Sequence, residues 1–279
     1  MKKKVKIFMC THKPFEYLPP LAVAVRGGAA INPEIPGTIP DFGSGGSISE
    51  KNPEYCELTV QYYAWKNEES DYYGFCHYRR FFCFDSSIKA PYVVRNKLSD
   101  KEKSELLLDD DGVIDVVTQY DAVVPRAEDV GCSVYEKYVK SKYCYKEDID
   151  LFVEIIGELC PDLVSYAKDY LNQNKQYFCN MFIMAKDIFY DYNARVFTLL
   201  NEFDKRKKLH GNFQADRTDG YLAERFLGIY LTYLRDQGLR IRECSRLDTD
   251  ASLLKRMAYK ILPPESKRRM FVKRILRKI

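Results

Sequence analysis

The order of elements along this chain predicts an α/β fold with a mostly parallel sheet flanked by helices. Three observations carry that expectation. Short apolar runs recur at "KVKIFMC", "DYYGFCHY", "YDAVVP", "QYFCNMFIM" and "LRIREC". Stretches of helical periodicity alternate with them. Polar residues suited to holding a ligand, among them Thr11, His12, His77 and Arg79, fall just after the strand-like runs, where open α/β sheets bind ligands.

Taken in order, Val5 to Cys10 reads as a buried first strand. "RGGAAINPEIPGTIPDFGSGGSISEKN" is rich in Gly, Pro and Ser and reads as a long irregular excursion of the functional kind. "NPEYCELTVQYYAWKN" is helical, because Tyr55, Leu58, Thr59, Tyr62, Tyr63 and Trp65 recur near the helical period. Asn52 can cap it and Pro53 suits its first turn. "DYYGFCHY" is the next strand, and "SDKEKSELLLDDDG" reads as a polar surface insertion. "DIDLFVEIIGELCPDLVSYAKDYLNQ" holds two helices broken at Pro161. A strand over Phe178 to Met184 leads into a helix, and "TDGYLAERFLGIYLTYLRDQG" is an amphipathic helix closed by Gly238. "LRIREC" is the last strand. Two domains are expected: residues 1–250 as an α/β unit and 251–279 as a basic helical tail.

Composition narrows the classes. Hydrophobic content of 46% and charged content of 30% are ordinary for a soluble globular protein. The start "MKKKVKIFMC" lacks the apolar length and cleavage site of a signal peptide, and no apolar window is long enough to span a bilayer. The nine Cys are odd in number and form no C-x-x-C, so free thiols in a reducing, cytoplasmic setting are expected. The net charge of +4 is unevenly spread. From Ser252 to Ile279 ten Lys or Arg face one acid, Glu265, so that tail carries +9 and the preceding body −5. A basic end on an acidic body points to an anionic surface as partner.

Among motifs, zinc spacings, G-x-G-x-x-G, the P-loop and G-x-S-x-G are all absent. A D-x-D sequence, which holds a divalent metal on a nucleotide-sugar diphosphate, occurs as "DID" at Asp148 to Asp150 and "DTD" at Asp248 to Asp250. Neither clearly follows a buried strand, and the first suits a helix N-terminus. His77-Tyr78-Arg79-Arg80 does follow one. Guanidinium groups neutralise a diphosphate with paired N–H donors, so this block is the candidate anion site.

Five ordered blocks make the chain recognisable: "CTHK", "SISEKNPEYCELTVQYYAWKN", "GFCHYRRFF", "YFCNMFIMAKDIFYDY" and "DRTDGYLAERFL". Together, over roughly residues 5 to 245, they resemble the bacterial polysaccharide-biosynthesis family known as domain of unknown function 4422. Its members lie in capsule, exopolysaccharide and O-antigen gene clusters and are regarded as glycosyltransferases, some of galactofuranose. The resemblance implies a glycosyltransferase A-type, Rossmann-like fold, a UDP-sugar donor and a polyprenyl-diphosphate-linked glycan acceptor. It places Thr11, His12 and Lys13 beside the nucleotide, His77, Tyr78, Arg79 and Arg80 where a D-x-D would stand, and Asn180 facing the sugar. Asp216, Arg217, Asp219, Glu224 and Arg225 would line the acceptor or diphosphate side. The family's acidic, Asn-containing loop is here "DFGSGGSIS", which keeps only Asp41.

Transfer of a glycosyl group requires stabilisation of the departing diphosphate, for which His77, Arg79 and Arg80 are the candidates. It also uses a base on the acceptor hydroxyl when the configuration inverts, and Asp41, Asp219 and Glu224 are the candidate acids. No protein ligand set for a metal is indicated and no cofactor is assigned, while a divalent Mn²⁺ or Mg²⁺ on the donor is compatible with the resemblance. In the tail, Leu253, Leu254, Met257, Ala258, Ile261 and Leu262, then Met270, Phe271, Ile275, Leu276 and Ile279, form apolar stripes among basic residues. That pattern fits a helix pair lying on the inner face of the plasma membrane. A nucleic-acid binder would need a basic patch across the acidic body. A non-catalytic nucleotide-sugar- or glycan-binding protein is the alternative reading.

Overall fold

The computed structural model describes residues 2–95 and 97–249, with Ile261, Leu262 and Arg268 besides. Most of the basic tail therefore lies outside the described residues, as does Asp250. The N-terminal half carries β1 (Val5–Thr11), β2 (Ala22–Arg26), β3 (Ile39–Pro40), α1 (Asn52–Tyr55), α2 (Leu58–Asn67), β4 (Tyr72–His77), β5 (Arg80–Cys83), β6 (Tyr92–Val94), α3 (Asp100–Leu107) and α4 (Asp110–Val117). There follow β7 (Ala122–Pro125), β8 (Glu128–Asp129), α5 (Val134–Val139), α6 (Lys146–Leu159), α7 (Val164–Asn172), β9 (Lys175–Gln176), β10 (Phe182–Ala185), α8 (Lys186–Arg206), α9 (Thr218–Asp236) and β11 (Ile241–Asp248).

The sheet is parallel through β3, β2, β1 and β4, and mixed beyond. β10 enters antiparallel between β4 and β7, and β11 runs parallel to β7 and antiparallel to β5. β5 returns to β4 through the two-residue turn Tyr78-Arg79, with His77 opposite Arg80. One half of β4 thus pairs with β10 and its end pairs with β5. Gly74 sits at the crowded point of that arrangement. A Cβ there would come within 2.9 Å of the Ile183 side chain and 3.0 Å of Ile7.

Period-two alternation along β1 feeds two cores. Phe8 faces Tyr73, Phe75 and the helices α2, α8 and α9, where Leu58, Phe189 and Phe226 are fully buried. Ile7 and Met9 face the other side, covered by Phe81, Phe82, Leu106, Leu107, Val113 and Val117. The segment expected as a surface insertion is therefore the cover of the second face. Its helices are capped by Ser99 and Asp109, whose side chains accept the N–H groups of Glu102 and Gly112.

Other boundaries shift for identifiable reasons. Ala22–Arg26 is a strand, though it follows a Pro-rich loop and has few residues to show a period. The helix expected from Asn52 breaks at Cys56 (φ 53°, ψ −127°). Pro53 does occupy its first turn, but the Asn52 amide donates to Cys56 O (2.7 Å) and Thr59 Oγ1 (3.1 Å), tying α1 to α2 instead of capping. The strand expected from Phe178 begins only at Phe182. Cys179 (φ 79°) and Asn180 (φ 44°) are left-handed, which extended backbone cannot accommodate. All nine Cys are free.

Candidate functional site

The parallel strands β1, β2 and β4 end at one edge, and β10, being antiparallel, begins there. A cleft of about 680 Å³ opens at that edge. Thr11 and His12 reach it from the end of β1, Gly27 from β2, and His77, Tyr78, Arg79 and Arg80 from the β4–β5 turn. Phe178 and Cys179 come from the approach to β10, and Arg217, Gly220, Tyr221 and Glu224 from the start of α9. Residues far apart in sequence converge because Cys10 is paired with His77 and α9 packs on α1.

Arg79, Arg80 and Arg217 bring three guanidinium groups to the cleft. His12 is held below its ordinary pKa by burial first, then by Lys13, Arg79, Arg217 and His77 around it. Its ring meets the Tyr78 ring edge-on at 5.3 Å, and the Arg79 guanidinium lies 5.5 Å from the same Tyr78 ring. Arg80 makes no ion pair among the described residues. Arg217, which lines the cleft, donates from Nε to Cys56 Sγ at 3.0 Å. Burial is the main cause that lifts the Cys56 thiol to about 12, so it is a neutral acceptor here.

His77 plays a narrower part than a phosphate-binding cation. Its Nε2 lies 2.7 Å from the Cys179 carbonyl, which can only accept, so Nε2 carries the proton. Burial, with Arg80 and Arg79 nearby, keeps its pKa below the ordinary 6.5. Near neutral pH it is an uncharged clamp on the Cys179 turn, with no second proton to offer.

The remaining expected residues divide. Lys13 is exposed, and its backbone N–H is received by Thr11 Oγ1 at 3.1 Å. Asn180 is buried just behind the cleft wall. Asp216 accepts the His210 N–H (2.9 Å) and does not line the cleft. Asp41 is fully buried, where it accepts the N–H groups of Gly28 (2.7 Å) and Ala29 (2.9 Å) and the Ser49 hydroxyl. That carboxylate anchors the turn after β2. Asp219 is also fully buried and lines no part of the cleft. Of the three candidate acids only Glu224 faces it. Its Oε1 accepts the Cys179 N–H (2.7 Å) and its Oε2 pairs with Arg225 (3.0 Å). Burial raises its pKa, with the charge of Glu57 adding to the effect.

Glu57 is the cleft residue that pattern reading misses. It follows the Cys56 break, so no helical period announces which way it points. Its Oε1 receives a 2.8 Å hydrogen bond from Asn180, 123 positions away in sequence.

Two acidic groups could be weighed as metal ligands. In the first D-x-D, Asp148 bonds to His210 Nε2 (2.9 Å) and Asp150 to the Tyr135 hydroxyl (2.6 Å), so both are engaged at the start of α6. Glu54, Asp204 and Asp219 bring their oxygens within 4.8 Å of one another. The Lys207 ammonium lies among them, 2.6 Å from both Asp204 and Asp219. That ammonium stands where a cation would, so this cluster does not fit a metal.

An α/β sheet with an arginine-lined cleft at the carboxyl edge of its parallel strands has the form of a site suited to an anionic ligand. Over residues 6–236 the chain matches the family described as Domain of unknown function (DUF4422), and it belongs to that family. It is also similar to a solved structure described as the apo form of the WbbM bifunctional glycosyltransferase, at 30% identity and a TM-score of 0.83. The likeness covers 89% of this chain and 46% of that one, so this chain spans under half the length of that protein. No curated protein matches it.

Proposed function

We propose that this chain is a glycosyltransferase of A-type fold that moves a sugar from a UDP-sugar donor to a lipid-linked glycan in bacterial surface-polysaccharide synthesis. The observation that carries the reading is the convergence of Arg79, Arg80, Arg217 and His12 on one cleft at the sheet's carboxyl edge. Preorganised guanidinium groups stabilise charge as it develops on a departing diphosphate, which is the main electrostatic demand of glycosyl transfer. Likeness to a bifunctional glycosyltransferase supports the same class. Galactofuranose is the donor sugar we put first, and a polyprenyl diphosphate the carrier of the acceptor.

Calorimetry with UDP, followed by hydrolysis assays over a panel of UDP-sugars, tests the proposal. UDP is expected to bind, and one donor to turn over with activity retained in EDTA. Binding of no nucleotide, with or without Mn²⁺, removes the transferase reading. Loss of all activity in EDTA would assign the diphosphate to a metal instead of the arginines.

The basic tail completes the proposal by holding the enzyme on the anionic inner leaflet, beside a polyprenyl-linked acceptor. Each basic residue near such a surface contributes about 1 kcal/mol. Full-length protein should float with anionic liposomes, and a chain ending before Ser252 should not. Equal flotation of both rejects membrane docking by the tail.

A further inference from the structure

The cleft holds two carboxylates in different states of engagement. Both oxygens of Glu224 are taken, one by the Cys179 N–H and the other by Arg225. Glu57 is held through Oε1 alone, by the Asn180 amide at 2.8 Å. Asn180 gives its other proton to the Gly220 carbonyl at 3.2 Å. Both partners only accept, so the amide nitrogen must face them and its orientation is settled. Asn180 is 1% exposed and takes a left-handed backbone (φ 44°), a conformation that costs energy in a non-glycine residue. The Cys56 backbone immediately before Glu57 is strained in the same sense (φ 53°). Two strained residues and a buried amide thus fix one oxygen of Glu57 and leave Oε2 without a hydrogen-bond partner among the described residues.

We infer that Glu57 is the general base of the transfer, with Asn180 as its positioning residue. This rests on the glycosyltransferase reading of the cleft. The acceptor hydroxyl gives its proton to Glu57 Oε2 as its oxygen bonds to the anomeric carbon. The bond from that carbon to the diphosphate oxygen breaks on the opposite face, and its electron pair leaves with the nucleotide, beside the arginines. The product therefore has inverted configuration. The charge of Glu57 is felt by His77 on β4, Cys10 on β1, Cys56 beside it, Tyr192 on α8, and Arg217 and Glu224 on α9.

Glu57→Gln keeps the Asn180 contact and removes the proton acceptor. Its kcat should fall on the order of 10²–10⁴-fold, with UDP affinity within about threefold and the acidic limb of the pH–rate profile gone. Asn180→Ala should lower kcat while leaving the donor KM nearly unchanged. Proton NMR of the wild-type product should show inversion, a readout independent of whether any variant folds. Glu57→Gln retaining more than a tenth of the activity, losing UDP affinity in parallel, or a product of retained configuration each overturns the assignment. Those outcomes leave the transferase reading intact. A wild-type protein that neither binds UDP nor turns over any UDP-sugar sinks both together.

Discussion

Arg80→Ala is expected to bind UDP roughly ten- to hundredfold more weakly than the wild-type protein, the loss that goes with one charge-assisted hydrogen bond at about 1.5–3 kcal/mol. The melting temperature hardly moves, because Arg80 makes no ion pair among the described residues that its removal would orphan. The position is decisive for this contrast. Arg80 opens β5 directly across the turn from His77, so its backbone is fixed by the β4 and β11 ladders while its side chain lines the cleft. Arg217→Ala should show a similar loss of affinity with a small stability cost, since its side chain bonds to the neutral Cys56 thiol. Isothermal titration with UDP at two salt concentrations, alongside thermal melts, measures both quantities. If Arg80→Ala unfolds the protein while UDP binding by the folded fraction is unchanged, that arginine is structural and the anion site must be assigned to other residues.

Lys207→Met destabilises the fold by about 3–5 kcal/mol, the cost of leaving buried charge without its partner. Lys207 is 8% exposed and neutralises Glu54, Asp204 and the fully buried Asp219 at once. Burial, opposed by that lysine, lifts the Asp219 carboxyl to about 7. The sign with pH follows. A carboxyl with a folded pKa above its unfolded value binds more protons in the folded state, so stability falls as pH rises between about 4 and 7. Removing the ammonium strengthens that trend. The variant should therefore lose most at pH 8 and recover part of the deficit at pH 5, and adding Asp219→Asn should restore part of it at pH 8. Urea melts at the two pH values decide this. A deficit below 1 kcal/mol at pH 8 shows the cluster to be screened by solvent. The cluster also bears on the cleft, since Asp219 sits in the first turn of α9, between Arg217 and Glu224.

Much of this was legible in one dimension. Strand β4 and the block His77 to Arg80 announce themselves through a local apolar run with charge at its end. The period of α9, closed by Gly238, needs no partner to be read, and the convergence of strand ends at one edge follows from parallel pairing. The acids were harder. Asp41, Asp219 and Glu224 are equal as letters, yet Asp41 ties down a backbone turn, Asp219 is locked by Lys207, and only Glu224 reaches the cleft. Burial and hydrogen-bond partners separate them, and those are properties of the folded neighbourhood.

What the sequence determined by itself is therefore whatever rests on neighbours along the chain: hydrophobic period, helix stops, the basic block after a buried strand, and the ordered motifs of the family. Tertiary structure alone decided which side chains share a site. Glu57 and Asn180 meet across 123 positions, through a left-handed turn at one and a helix break before the other. Non-local pairing and strained backbone leave no periodic trace, because their stability comes from the surrounding packing and not from the residues that bear the strain.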